Sequence, residues 1–369
     1  SISLSHGNEK LQNYFSYANT TGHGIIGKHN LSKHNLTFRE TSVLLNSRLK
    51  LDGSMNLMRQ VVKNKPTVGG FYMNPLVGLY RFPRGEDISY YKENFEVYDE
   101  GRNLNIQNWH TSYEDFEQNP YWITNRILSK ENRMHVIVSL SANLKINDWL
   151  SLQARGNVDY INDKVRQQFY ASTAPALAGA NGRYIEMDYQ ETQYYGDAIL
   201  MMKKQWDAFS LNAALGASIN DKTVNSTRYD SKTASLKYAN VFNLANIIMN
   251  GSAGLDQKID ARRQLQSLFA TAQLGYNEFV YLDLSARNDW SSTLAYTSHE
   301  KSGFFYPSVG FSLIFNKLMT LPRWVSLAKI RGAYSMVGND IPMFITNPSS
   351  HITAGGEFLA SDAAPFKDM

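Results

Sequence analysis

The sequence predicts an all-β fold: part of an antiparallel transmembrane β-barrel with short periplasmic turns and long extracellular loops. Three observations carry this. Runs of about ten residues alternate apolar with polar, and because successive side chains of a strand point to opposite faces, each run has one greasy and one polar face. The runs are joined alternately by tight turns and by long segments, as in an outer-membrane barrel. The greasy faces use Ala and Gly as freely as Leu. A packed sandwich core needs bulk, whereas a lipid-facing surface does not.

Taken in order, strands are expected over 2–6, 11–18, 38–45, 48–60, 134–146, 149–160, 194–204, 209–219, 264–276, 279–287, 304–315 and 325–337. The run 149–160 shows the pattern: Leu150, Leu152, Ala154, Gly156, Val158 and Tyr160 share a face, and Ser151, Gln153, Arg155, Asn157 and Asp159 share the other. Similarly, Leu211, Ala213, Leu215, Ala217 and Ile219 oppose Asn212, Ala214, Gly216 and Ser218. Tight turns are expected at Asn46-Ser47, Asn147-Asp148, Trp206-Asp207 and Asn277-Glu278. Asn and Asp suit such turns because they tolerate left-handed backbone and bond locally. The long connections are 61–133, 162–193 and 220–263, and segments of that length are usually functional. Helical periodicity is nearly absent; one short helical turn is expected over 113–118.

Composition excludes several classes. No apolar stretch reaches the length of a membrane-spanning helix. The mean hydropathy of −0.38 is no argument against a barrel, since only every second residue meets lipid. The net charge of +4 is mild and no Lys/Arg block occurs, so no nucleic-acid partner is expected. Cysteine is absent, which rules out a disulfide-stapled fold. Tyr (22) and Phe (18) are plentiful, as both strands and membrane-interface girdles require. Trp149, Trp206, Tyr276 and Phe279 flank the tight turns, where one girdle would fall.

No enzymatic chemistry is expected. Gly22-His23-Gly24-Ile25-Ile26-Gly27 matches a dinucleotide fingerprint but opens no helix, so it reads as a loop. The histidines are scattered without metal-ligand spacing, and no serine nucleophile elbow occurs. Neither cofactor nor metal is expected. Aromatic and amide side chains crowd the first long connection. Phe71, Tyr72, Asn74, Trp109 and Trp122 are candidate ligand contacts, since aromatic faces and amides suit sugar rings and extended peptides. Arg155, Asp159, Asp283 and Arg287 fall on the polar phase of their strands and are candidates for lining a lumen.

Further along, a set of motifs becomes specific in combination. The segment Tyr281-Leu282-Asp283-Leu284-Ser285-Ala286-Arg287-Asn288-Asp289-Trp290-Ser291-Ser292-Thr293-Leu294 resembles the SusC/RagA family of TonB-dependent outer-membrane transporters. Phe305-Tyr306-Pro307-Ser308-Val309, Lys329-Ile330-Arg331-Gly332-Ala333-Tyr334 and Val337-Gly338-Asn339-Asp340 fit the same family. So do Asn74-Pro75-Leu76, Phe82-Pro83-Arg84-Gly85 and Asn119-Pro120-Tyr121-Trp122. The resemblance implies a plugged barrel of about 22 strands in the outer membrane of a Bacteroidota-type bacterium. It also implies a SusD-like lipoprotein at the extracellular mouth, energy supplied through TonB, and an oligosaccharide or oligopeptide ligand. Signal-peptide, TonB-box and plug segments are not recognisable. With about 12 of about 22 strands, residues 1–369 read as an internal barrel segment. A passive outer-membrane porin and a surface glycan-binding β protein are the alternatives.

Overall fold

The computed structural model describes residues 1–67, 72–111, 117–232, 236–248, 254–322, 324–346, 350–352 and 358–360. Twelve of its strands form one antiparallel sheet in chain order: β1 Ile2–Gly7, β2 Leu11–His23, β3 Asn30–Leu44, β4 Leu49–Lys63, β7 Ile127–Lys145, β8 Leu150–Phe169, β9 Arg183–Trp206, β10 Phe209–Asp230, β11 Gly254–Tyr276, β12 Val280–Ser291, β13 Phe304–Ile314 and β14 Lys329–Ser335. Each pairs with its sequence neighbours in the sheet, so the wall is a simple meander. The connection between β4 and β7 carries α1 Pro75–Arg81, α2 Ile88–Glu93, the hairpin β5 Glu96–Asp99 and β6 Leu104–Gln107, and α3 Pro120–Arg126. A further short hairpin pairs β15 Ser350–Ile352 with β16 Phe358–Ala360.

The register sorts the side chains. Leu57 lies opposite Val136, which lies opposite Tyr160. Two residues nearer the short turns, Met55, Val138 and Val158 align, with Tyr194 next on β9. Leu144, Leu152, Leu200, Leu215, Ala270 and Ala286 continue the same face across β7 to β12. A one-residue slip in any pair would turn this face over, so the sorting of apolar side chains to one side fixes the register. Leu140, Leu215 and Leu268 stand more than half exposed, as an outward band would.

Short turns close one rim. Asn277 and Glu278 both have positive φ, 46° and 57°, the geometry whose twist matches an antiparallel hairpin. The Asn147 side-chain oxygen accepts from the backbone N–H of Trp149 and Leu150, at 3.0 and 2.9 Å, so this turn is held by its own side chain. The six-residue Gly22–Gly27 motif ends β2 and enters a turn, as expected of a loop.

The strands run further than alternation indicated. β8 to β11 have 20, 24, 22 and 23 residues, so the connections 162–193 and 220–263 shrink to 170–182 and 231–253. Beyond the apolar band both faces become polar and the period-two signal disappears, while backbone pairing continues. Outward ion pairs tie neighbouring strands there: Lys164–Asp188 at 3.3 Å and Arg166–Glu186 at 2.9 Å. Between β10 and β11 the register shifts at Val224/Ser226, with Asp260 at φ 47° in the bulge. The first long connection is not irregular either, since it holds three helices and a hairpin. Of the helical turn expected over 113–118, residues 113–116 lie outside the described residues, and Glu117 and Gln118 are not helical.

Candidate ligand path

The polar face of the wall is a field of paired charges. Arg155 donates to Asp197 (Nη2 to Oδ2, 2.7 Å), and Tyr195 donates to the same carboxylate at 2.7 Å. Asp159 lies 2.7 Å from His135 Nε2, and Asp283 accepts from Gln273 Nε2 at 2.7 Å. Arg287 donates to Asp289 and to Ser267, each at 2.7 Å. Its guanidinium stands 5.7 Å from the ring centroid of Phe269. Phe269 in turn covers Gly216 on the next strand, where an added Cβ would meet the ring at 2.4 Å. The four residues picked from the sequence as lumen candidates thus lie on one face, each held by a neighbour. Fixed and compensated charges of this kind give a wall wetted by polar groups and held in shape by bidentate pairs.

At the opposite rim from the short turns, the connection between β4 and β7 folds back over the loop between β8 and β9. Two Asn-Pro pairs start its helices. Asn74 accepts from Leu76 N–H to cap α1, and Asn119 accepts from Tyr121 N–H to cap α3. Proline at the first helical position has no N–H to leave unpaired. The helices meet closely: a Cβ on Gly78 would lie 2.5 Å from the Gln118 carbonyl oxygen. Asn119, with no exposed surface, donates to the carbonyls of Tyr91 and Asn108 at 2.9 and 2.8 Å. Gln118 reaches both sides, donating to Tyr72 O and accepting from Ala174 N–H at 2.5 and 2.8 Å. Arg126 clamps Glu96 through two bonds of 2.7 and 2.6 Å and lies over the rings of Phe95 and Tyr170.

This packing determines the place of the aromatic candidates. Trp122 is 1% exposed and donates its indole N–H to Thr173 Oγ1 at 3.0 Å. Trp109 is buried against Phe82, Tyr91 and His110, with its N–H on Glu117 at 3.1 Å. Both rings therefore hold the platform together and present no face to a ligand in this conformation. Asn74 is occupied by its capping bond and Tyr72 is half-buried, while Phe71 lies outside the described residues. Exposed rings in the connections include Tyr80, Tyr90 and Tyr98 on the platform and Tyr238 and Tyr296 further along the chain. Tyr90 and Tyr98 were not among the sequence candidates, because α2 and β5 are too short to carry a periodic signal. Between the platform and the β2–β3 turn opens a cavity of about 370 Å³, with Met73, Ile123 and Phe169 beside Lys65, Glu131 and Gln167.

Two of the familiar sequence motifs meet here. Asp340, from Val337-Gly338-Asn339-Asp340, accepts from Ser291 at 2.6 Å and from Thr293, both within Asn288-Asp289-Trp290-Ser291-Ser292-Thr293. Arg263 of β11 completes the latch at 2.6 Å. The segment after β14 is thereby pinned over the ends of β11 and β12. Burial would raise the Asp340 pKa, but the Ser291 and Thr293 hydroxyls, the Ile341 N–H and Arg263 outweigh it and hold the group below the usual carboxylate range.

No family model matches the chain, and no curated protein matches it. Solved structures do. A structure of the RagAB peptide transporter superposes with a TM-score of 0.68 at 17% identity, covering 96% of this chain and 39% of that one. The same importer in its open-open state gives 0.66 at 16% identity, covering 96% and 38%. FpvA of P. aeruginosa bound to heterologous pyoverdines gives 0.55 at 13% identity, covering 84% and 37%. The chain has the barrel fold of these proteins, as the SusC/RagA resemblance implied, and spans about two fifths of their length.

Proposed function

We propose that the chain forms part of the barrel wall of a TonB-dependent outer-membrane importer of oligomeric nutrients. The observation that carries this is the pairing of a two-faced meander with a folded platform on the long-loop rim. The apolar rows that run from β4 across β7 to β12 suit lipid. A compensated polar face suits a solute path, on which Arg155, Asp159, Asp283 and Arg287 line the lumen. The platform suits a mouth that must hold shape while gripping ligand. Peptides are the first ligand class to test, since the RagAB structures are of a peptide transporter. Oligosaccharides are the second, because Tyr80, Tyr90 and Tyr98 present exposed rings on the platform. A SusD-like lipoprotein would cap this rim and hand ligand to it. The role is capture and passage, without bond breaking.

The test is uptake. Labelled peptide and oligosaccharide pools are offered to cells expressing the complete polypeptide, with and without TonB and with the proton-motive force collapsed. Uptake should stop in both deprived conditions. Uptake that persists unchanged would favour a passive pore and overturn this reading.

A further inference from the structure

Directly above the apolar band, the outward face of β4, β7 and β8 carries a cluster of cations. Lys63 lies opposite Lys130, and Lys130 lies opposite Arg166, so three positive side chains stand side by side across three strands. Arg59 and Lys164 project from the same face, four residues from Lys63 and two from Arg166. All five side chains are exposed. Two acids face the cluster, both from β9: Glu186 pairs with Arg166 at 2.9 Å and Asp188 with Lys164 at 3.3 Å. Among the described residues, Arg59, Lys63 and Lys130 have no acidic partner. The outward positions of β3 opposite β4 are Asn30, Ser32 and His34, which supply no negative charge.

Like charges directly opposite in a sheet are destabilising unless something compensates them. Arg155, Arg287, Arg126 and Arg263, by contrast, each have a carboxylate partner within the protein. The height is also particular. Counting up β7 from Val136, in the row of Leu57 and Tyr160, Met134 (opposite Arg59) and Asn132 precede Lys130 on the same face. Six residues at about 3.3 Å each, on a strand tilted by about 40°, place Lys130 ~15 Å above that row. Arg59, two residues above Leu57, sits near ~5 Å on the same reckoning. The cations therefore span the layer where lipid headgroups lie and reach beyond it.

We propose that this face is a binding site for a phosphate-bearing lipid headgroup of the outer leaflet, large enough to reach from Arg59 to Lys63 and Lys130. The acyl chains would lie along Leu57, Val136 and Tyr160, and the phosphates among the uncompensated cations. The proposal rests on the outer-membrane reading of the barrel.

The complete polypeptide is purified in detergent and its lipid adducts are measured by native mass spectrometry with bisphosphorylated lipid A and with a dephosphorylated form. The wild type should retain the bisphosphorylated lipid preferentially. The variant Arg59→Gln/Lys63→Gln/Lys130→Gln should retain it roughly tenfold less, as loss of several surface cations implies. A variant of equal charge change on the polar face, Lys33→Gln/Lys50→Gln/Lys203→Gln, should retain it like the wild type. Heat-modifiable migration on gels checks that each barrel is folded; if the outward triple variant fails that check, the single variants Lys63→Gln and Lys130→Gln decide. Equal retention by outward variants and wild type overturns the lipid site. So does unchanged retention with a shift from a larger to a smaller assembly in light scattering, which would make the face a protein interface. A protein released from membranes without detergent would instead overturn the barrel reading itself.

Discussion

At the residue scale, the platform depends on a few side chains that cannot be exchanged. Asn119 satisfies two carbonyls and one N–H while fully buried. Asn119→Ala leaves those groups without partners, which should cost roughly 2–4 kcal/mol of platform stability. Limited proteolysis should then cut within 64–126 at lower protease concentration, while heat-modifiable migration of the barrel is retained. Gly78→Ala should act alike, because its methyl group would press on the Gln118 backbone. Asp340 gives a pH signature. Its folded-state pKa is depressed, so its contribution is full above the unfolded value of about 4 and is lost as pH falls through the lower folded value. Hydrogen exchange should show the Ile341 amide, which donates to Asp340 at 2.8 Å, protected at neutral pH and released only in strong acid. Asp340→Asn should weaken that protection at neutral pH and flatten its pH dependence; an unchanged profile would show that the carboxylate does not hold the segment.

At the element scale, strand existence was legible and strand length was not. All twelve sheet strands were expected, because Leu150, Leu152 and Ala154 or Leu211, Ala213 and Leu215 report a face wherever lipid demands one. Above the band that demand lapses, and Lys164, Arg166, Glu186 and Asp188 pair across strands without any period-two hydrophobic signal. The platform helices were missed for a different reason. At seven residues, α1 and α3 are too short for amphipathic periodicity, and only the Asn-Pro starts at Asn74 and Asn119 announce them. The lumen candidates were legible from phase alone, whereas the burial of Trp109 and Trp122 depends on contacts with residues far along the chain, such as Thr173. The sorted faces give a direct prediction. Leu215→Arg, on the outward face of β10, should cost about 2–4 kcal/mol at mid-membrane depth. It should reduce the heat-modifiable fraction in urea titrations. Asn212→Glu, three residues away on the polar face and opposite Lys203, should fold like the wild type. Equal destabilisation by both would contradict the assignment of faces.

At the scale of the whole molecule, the sheet has two ends. β1 and β14 each pair on one side only, and every residue of both is exposed. Within hydrocarbon, each unpaired N–H or C=O costs several kcal/mol, so a spanning sheet must close on itself or on further strands. β1 and β14 do not pair with each other. Solved barrels of the same fold are more than twice as long as this chain. We therefore infer that additional strands pair with the free edges of β1 and β14. Residues 1–369 expressed alone should then collect in aggregates and give no heat-modifiable band after refolding into detergent. The complete polypeptide should give one. Cysteines placed at Leu4 and at Ile330, on the exposed edges, should be shielded from a membrane-impermeant maleimide in the closed barrel and open to it in refolded 1–369 in urea. A monomeric, heat-modifiable barrel from 1–369 alone would mean that the two edges find each other, and the twelve strands would then suffice.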